Sequence, residues 1–250
     1  MDDKVNYLLR LGDNALILSQ QLSQLCGKGP ALEEDMALTN VALDLLGQAR
    51  LWFAYGAELE GAGRDEDLLA FHRDAHDFKN CLLLEQPNGN YADTLMRQFL
   101  FDTWHYFLLL KLVNASDARV AEIAEKSLKE VTYHLRRSGD LIVRLGDGTP
   151  ESHARTQGAA DDLWMYTGEL FNHDGVEHAM VEAGVAPPSA PLRAAWLEHV
   201  AEIFAEATLV MPAPDAWMQK GGKQGAHTEQ LGFILAEMQF LQRAYPGATW

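Results

Sequence analysis

FLFDTWHYFLLLKLV, residues 99–113, is the longest greasy stretch of the chain. Phe99, Leu100, Phe101, Trp104, Phe107, Leu108, Leu109 and Leu110 occupy nearly every face of a helix wound through it. A helix that is apolar nearly all round must be buried, in a membrane or in the middle of a bundle. Asp102, His105 and Lys111 interrupt the run, which leaves it too short and too polar to span a bilayer. The bundle reading therefore makes residues 99–113 the spine of a helical protein.

Working outward, apolar residues recur at helical spacing, and no run shows the sustained period-two alternation of strands. The spacing predicts helices over 4–25, 33–60, 66–84, 91–113, 117–145, 153–171, 174–183, 191–209 and 228–244. Gly27-Lys28-Gly29-Pro30, Gly61-Ala62-Gly63, Gln86-Pro87-Asn88-Gly89 and Gly146-Asp147-Gly148-Thr149-Pro150 supply the stops. The second helix shows a core stripe of Leu38, Val41, Leu45, Ala49 and Trp52. The fifth, capped by Ser116 or Asp117, shows Ile123, Ser127, Val131, His134 and Ser138. Four long helices in the N-terminal two-thirds with shorter ones beyond give an all-α class, a four-helix bundle core and one domain over 1–250.

The 250 residues are 48% hydrophobic and 22% charged, an ordinary globular balance. A formal net charge of −16 argues against nucleic acid and anionic membrane as partners, since both need a basic surface. The opening Met1-Asp2-Asp3-Lys4 lacks the basic and apolar segments of a secretory signal. Cys26 and Cys81 are single and widely spaced, so neither a disulfide framework nor a zinc site is expected. A reducing cytoplasm is the expected location.

Helical bundles commonly carry a di-iron site built from two Glu and two Glu-x-x-His motifs. No Glu-x-x-His occurs; the one acid-x-x-His is Asp102-Thr103-Trp104-His105. Asp44 and His134 are the other inward acid and imidazole positions, and His134 reads most simply as a core histidine satisfied by a nearby acid or carbonyl. A buried Asp102 is expected to pair with one of the histidines or with Arg50, Arg97, Arg136 or Arg137. His72 and His76 have the i,i+4 spacing of a zinc pair but fit a solvated helix face better. Lys220-Gly221-Gly222-Lys223-Gln224-Gly225 is mobile by composition and could cradle a phosphate with lysines and free amides. Lys79-Asn80 could meet a polar ligand or lie on a solvated helix face.

YLLRLGDNALILSQQL (7–22), ALDLLGQAR (42–50), LLLEQPNGNYADTLMRQF (82–99), KEVTYHLRRSGD (129–140), GKQGAHTEQLGFILAEMQFLQRAYP (222–246) and the terminal Trp250 are long unbroken motifs spanning the chain. Together they resemble the family of C-type subunits of the bacterial multicomponent phenylacetyl-CoA epoxidases. That resemblance implies a ferritin-like fold, a tight complex with a related catalytic A-type subunit, and no di-iron centre in this chain. Where the catalytic sibling carries D-E-x-G-H, this chain has Asp44-Leu45-Leu46-Gly47-Gln48, so its ligating Glu falls on Leu45 and its His on Gln48. Where the sibling carries an E-E-x-F-H-like motif, this chain has Glu130-Val131-Thr132-Tyr133-His134, so Val131 replaces a Glu and His134 keeps the His. The first-helix Glu falls on Leu16, and the remaining acid corresponds to Asp102. Four of the six ligand positions are thus apolar or amide, which cannot hold iron as several carboxylates do.

The resemblance further implies ligand-facing stretches at Asp77, Phe78, Lys79 and Asn80 and at His178, Ala179 and Met180. It implies that phenylacetyl-CoA is met at the interface with the catalytic sibling, and that iron, NADPH, flavin and iron-sulfur groups belong to partner subunits. The expected role is structural: to stabilise and position the catalytic sibling. Trp52, Phe53, Tyr55, Trp104 and Tyr106 offer apolar surface for both a core and an interface. The competing readings are a free-standing metal-dependent enzyme using Asp102, His105 and His134, and a homodimeric acyl-CoA-binding module with Lys79 or Lys223 focusing charge.

Overall fold

The computed structural model describes residues 2–213 and 215–248; Trp250 lies outside the described residues. In chain order the helices are α1 (Asp3–Ser23), α2 (Leu32–Glu60), α3 (Glu66–Phe71), α4 (Tyr91–Leu112), α5 (Ala118–Gly146), α6 (Pro150–Trp164), α7 (Gly175–Glu182), α8 (Ser189–Glu206), α9 (Glu229–Met238) and α10 (Phe240–Ala244). Short 3-10 turns stand at Ala75–Asp77, Leu82–Glu85, Gly168–Phe171 and Gly222–Gln224. Among the described residues there is no strand, so the class is all-α. None of their helices is long and apolar enough to cross a membrane. The chain divides into two compact units, 1–85 with 221–250, and 86–220.

In the first unit α1 and α2 pack antiparallel: Leu8 and Leu9 lie against Gly56, Gly12 against Phe53, and Ser19 Oγ donates to the Ala42 carbonyl at 2.7 Å. Gly12 is required there, because a Cβ would come within 2.4 Å of the Phe53 ring. Asp35, in the first turn of α2, accepts from the Gly27 and Gly29 amides and so shapes the connection between the helices. The stripe of Leu38, Val41, Leu45, Ala49 and Trp52 is buried, as its spacing predicts.

The expected helix over 66–84 stops at Phe71 instead. Tertiary hydrogen bonds compete away its backbone: the Lys79 and Cys81 amides donate to Asp13 and Asn14 of α1, not to helical carbonyls. His72 caps α3 and His76 lies in the next 3-10 turn, so the pair shares no helix face. The expected helix over 228–244 likewise divides, into α9 and α10, at Gln239. The Gln239 side chain is buried and donates to the carbonyls of Ala70 and Arg73.

In the second unit α4 opens on an Asn90 cap closed reciprocally by Asp93. Asp117 caps α5 by accepting from the Arg119 and Val120 amides. The two helices run antiparallel, with Phe99 facing Gly139 and Asp102 facing Ser138. Phe99, Leu100, Phe101, Trp104, Leu108 and Leu109 are buried, and α8 covers α4 through Trp196, whose indole N–H donates to the Leu100 carbonyl at 2.9 Å. The expected helix over 153–171 ends at Trp164 and resumes as the 3-10 turn Gly168–Phe171.

Candidate functional site

Within the first unit, the irregular segment that follows α3 is bolted to α1 by buried polar groups. The Asp13 carboxylate, fully buried, pairs with the Arg73 guanidinium and also accepts from the Lys79 amide at 2.8 Å. The Arg73 guanidinium sits over the Phe78 ring, its Cζ 4.2 Å from the ring centroid. Asn14 accepts from the Cys81 amide at 2.8 Å, and Gln21, two turns along α1, donates to the Glu85 carbonyl at 3.0 Å. Asp13, Asn14 and Gln21, polar residues at buried positions of α1, are the sequence signal that could have found this arrangement, and they point to no particular partner.

Of the four residues at 77–80, Phe78 and Asn80 are fully buried. The solvated-helix-face alternative for Lys79-Asn80 is therefore wrong. Asn80 donates to the Glu85 carboxylate at 2.9 Å, and the groups left facing outward are the Asp77 carboxylate and the Lys79 ammonium, the latter donating to the His76 carbonyl at 3.1 Å. Glu85 itself is fully buried, and accepts from the Thr228 amide at 2.8 Å, the Thr228 hydroxyl at 2.7 Å and the His227 imidazole at 2.5 Å.

The glycine-rich stretch is no open cradle. Lys223 is buried, and the amides of Gln224, Gly225 and Ala226 are spent on the carbonyls of Gly221 and Gly222. Gly225, at φ +83°, presses against the His76 carbonyl, which a Cβ would approach to 2.2 Å. The other implied stretch lies in the second unit on α7, where His178 is exposed, its ring 6.0 Å from that of His173, and Met180 is buried.

Leu16, Leu45 and Gln48 are buried on α1 and α2 in the first unit; Asp102, Val131 and His134 are buried on α4 and α5 in the second. Asp44 is only half-buried. Asp102 does not form its hydrogen bonds with an arginine: Gln98 donates to one carboxylate oxygen at 2.5 Å and Ser138 to the other at 2.9 Å. Arg97, buried one turn away, instead donates to the Gln86 carbonyl and to Asn88.

Burial pushes the Asp102 carboxyl up to about 6, against the opposing pull of His134 and the hydrogen bonds from Ser138 and Gln98. Burial, with His134 nearby, pushes His105 down to about 3, so its ring is neutral near pH 7. His105 packs against Phe101 at 5.0 Å between centroids. In chemical terms this cluster offers one carboxylate already satisfied by two donors. Among the described residues no three His, Cys, Asp or Glu side chains are grouped as metal ligands. The donor set does not fit a di-iron centre.

Trp52, Phe53, Tyr55 and Trp104 are buried in the folded chain, so they serve the core; Tyr106 is half-buried. The exposed apolar side chains are others, among them Leu32, Met36, Leu43 and Leu46 along α2. Leu43, Leu46, Arg50, Phe53, Ala70 and Phe71 border a cleft of about 540 Å³ between α2 and α3.

Comparison with known proteins adds two findings. Residues 1–250 match the family described as phenylacetic acid catabolic protein. The chain is 51% identical, over 253 aligned residues covering all of both chains, to the C-type subunit of 1,2-phenylacetyl-CoA epoxidase from Escherichia coli strain K12. The all-α architecture is the ferritin-like one of that family. This chain belongs to the phenylacetic acid catabolic protein family.

Proposed function

We propose that this chain is the non-catalytic C-type subunit of a multicomponent phenylacetyl-CoA epoxidase in aerobic phenylacetate catabolism. In this reading it stabilises and positions the di-iron catalytic A-type subunit, and helps shape the acyl-CoA site. The complex inserts one oxygen atom into the phenyl ring of phenylacetyl-CoA, and the iron, NADPH, flavin and iron-sulfur groups reside in its other subunits. The observation that carries the reading is the 51% identity, over the full length of both chains, with a protein named as the C-type subunit.

The chemistry of the residues supports the non-catalytic part. Leu16, Leu45 and Val131 are buried hydrocarbon, and Gln48 is a buried amide, at positions where the resemblance implies metal ligands in the sibling. Asp102 is engaged by Gln98 and Ser138, which disfavours a free-standing metal enzyme built on Asp102, His105 and His134. The test is to purify the chain alone, measure its iron, and assay epoxidation with and without the catalytic sibling. No stoichiometric iron and no turnover alone, with turnover restored in the reconstituted complex, is the expected result. Stoichiometric iron or unaided epoxidation would sink the reading.

A further inference from the structure

The motif around Gly222-Lys223-Gln224-Gly225-Ala226-His227 has no part in the function proposed above, yet its histidine is tied at both ring nitrogens into the segment that precedes α4. His227 Nδ1 lies 2.5 Å from a Glu85 carboxylate oxygen, and Nε2 lies 2.8 Å from the Phe78 carbonyl oxygen. The Phe78 carbonyl can only accept, and the Glu85 carboxyl already accepts from Asn80 and from the Thr228 amide and hydroxyl, the pattern of an ionised carboxylate. Against an ionised Glu85 both ring nitrogens donate, and an imidazole with two N–H groups is a cation. The side chain is 5% exposed and that of Glu85 fully buried, so the contact lies in a low-dielectric setting and is not screened as a surface pair would be.

The surrounding charges agree with this assignment. Glu85 faces the ring from the 3-10 turn at Leu82–Glu85, and Asp13 acts on it from α1, though Asp13 is also paired with Arg73. The cations on the surrounding segments are Lys79, whose ammonium is held on the His76 carbonyl, the buried Lys223 on the turn before His227, and Arg73, paired with Asp13 and seated over Phe78. Burial works against the charge on His227. The hydrogen bond and charge of Glu85, and the Phe78 carbonyl, outweigh burial and raise its pKa above the usual imidazole value.

The Phe78 carbonyl immediately precedes Lys79, and the Glu85 carboxylate that holds His227 also holds Asn80. Asp13 and Asn14 fix the same stretch from the α1 side through the Lys79 and Cys81 amides. The stretch is therefore gripped on one side by a permanent network and on the other by a ring that must carry a proton to make both of its bonds.

We infer that His227 is a positioning residue for the acyl-CoA thioester: clamped as an imidazolium between Glu85 and the Phe78 carbonyl, it holds residues 78–80 in the shape that presents Lys79 to the ligand's anionic groups. The ligand half of this inference rests on the function proposed above together with the family resemblance, which implies that 77–80 faces the ligand; the clamp half rests on geometry alone. Loss of the proton removes one of the two donors, so the grip on 78–80 weakens as pH rises through the His227 pKa.

Two measurements separate the halves. In the full chain labelled with 15N-histidine, two-bond proton–nitrogen NMR at pH 6.5–7 should show the imidazolium pattern for His227, and Glu85→Gln should convert it to a neutral ring. Amide exchange at Lys79, Cys81 and Thr228 should accelerate at least tenfold in His227→Gln, with circular dichroism unchanged. In the reconstituted complex with the catalytic sibling, calorimetry with phenylacetyl-CoA should show affinity falling about tenfold between pH 6.5 and 9, while His227→Gln starts weak and stays flat.

A neutral His227 ring in the native chain overturns the inference, as does unchanged exchange at Lys79 and Cys81 in His227→Gln. Native affinity that is flat with pH and equal to that of the variant overturns the positioning role. An intact clamp in a complex that binds no phenylacetyl-CoA upholds the clamp and overturns the ligand reading of 77–80.

Discussion

Asp102 and His105 lie one helical turn apart on α4, and burial moves their protonation in ways that pull stability in opposite directions. The Asp102 carboxyl titrates at about 6 in the folded chain against an ordinary 3.8, so the folded state holds this proton more tightly than the unfolded one. Stability from this group is therefore full below about pH 4 and declines as pH rises towards 6. His105 titrates at about 3 against an ordinary 6.5, so the unfolded state takes its proton first and stability falls as pH drops below 6.5. The wild type sums two opposed slopes, and single substitutions expose each one. In urea denaturation, Asp102→Asn should gain stability relative to wild type by roughly 2–3 kcal/mol between pH 4 and 6, at about 1.4 kcal/mol per unit of pKa difference. Parallel pH profiles for the two proteins would refute the assignment.

At the scale of elements, the shortness of α3 and the close approach of α1 to α2 both depend on single residues. Asp13→Asn leaves the Arg73 guanidinium buried without its counter-charge, a change that costs about 3–5 kcal/mol where a buried pair is broken. The expected result is a large drop in the urea midpoint, together with faster amide exchange at Lys79; an unchanged midpoint would mean that Arg73 finds water or another acceptor. Gly12→Ala forces the Phe53 ring to move and should cost about 1–3 kcal/mol, as overpacking does, read as a lower melting temperature. On α5, Val131→Glu puts a carboxylate at a fully buried position and should destabilise by several kcal/mol at pH 7, less at pH 4 where the acid is neutral. A Val131→Glu chain as stable as wild type at pH 7 would show that the position can hold a charge.

For the whole molecule the dominant long-range term is the net charge of −16, which repels itself and disfavours the compact state at low ionic strength. Raising sodium chloride from about 20 mM to 200 mM shortens the Debye length from roughly 20 Å to below 10 Å and should raise the melting temperature by a few degrees. A fall in melting temperature would instead point to specific surface ion pairs such as Arg50–Glu66 and Arg243–Asp74 as the larger electrostatic contribution. Under the function proposed above, the same charge makes a polyanionic ligand such as coenzyme A depend on locally focused cations, the part that proposal gives to Lys79.

The sequence by itself determined the all-α class, the long helices α1, α2, α4 and α5 to within a few residues, the buried stripes of α2 and α5, and a cap for α5 at Ser116 or Asp117, between which the structure chose Asp117. It also made the family legible, through unbroken motifs spread along the chain. These are local properties: helical periodicity and capping act within one or two turns, so the pattern of neighbours suffices to read them. Only the tertiary structure decided where α3 stops, which aromatics belong to the core, that Asp102 is satisfied by Gln98 and Ser138, and that His227 grips Glu85 across 142 residues of chain. Those outcomes are set by side chains that satisfy backbone and carboxylate groups far away in sequence, and such partners exist only once the helices have packed.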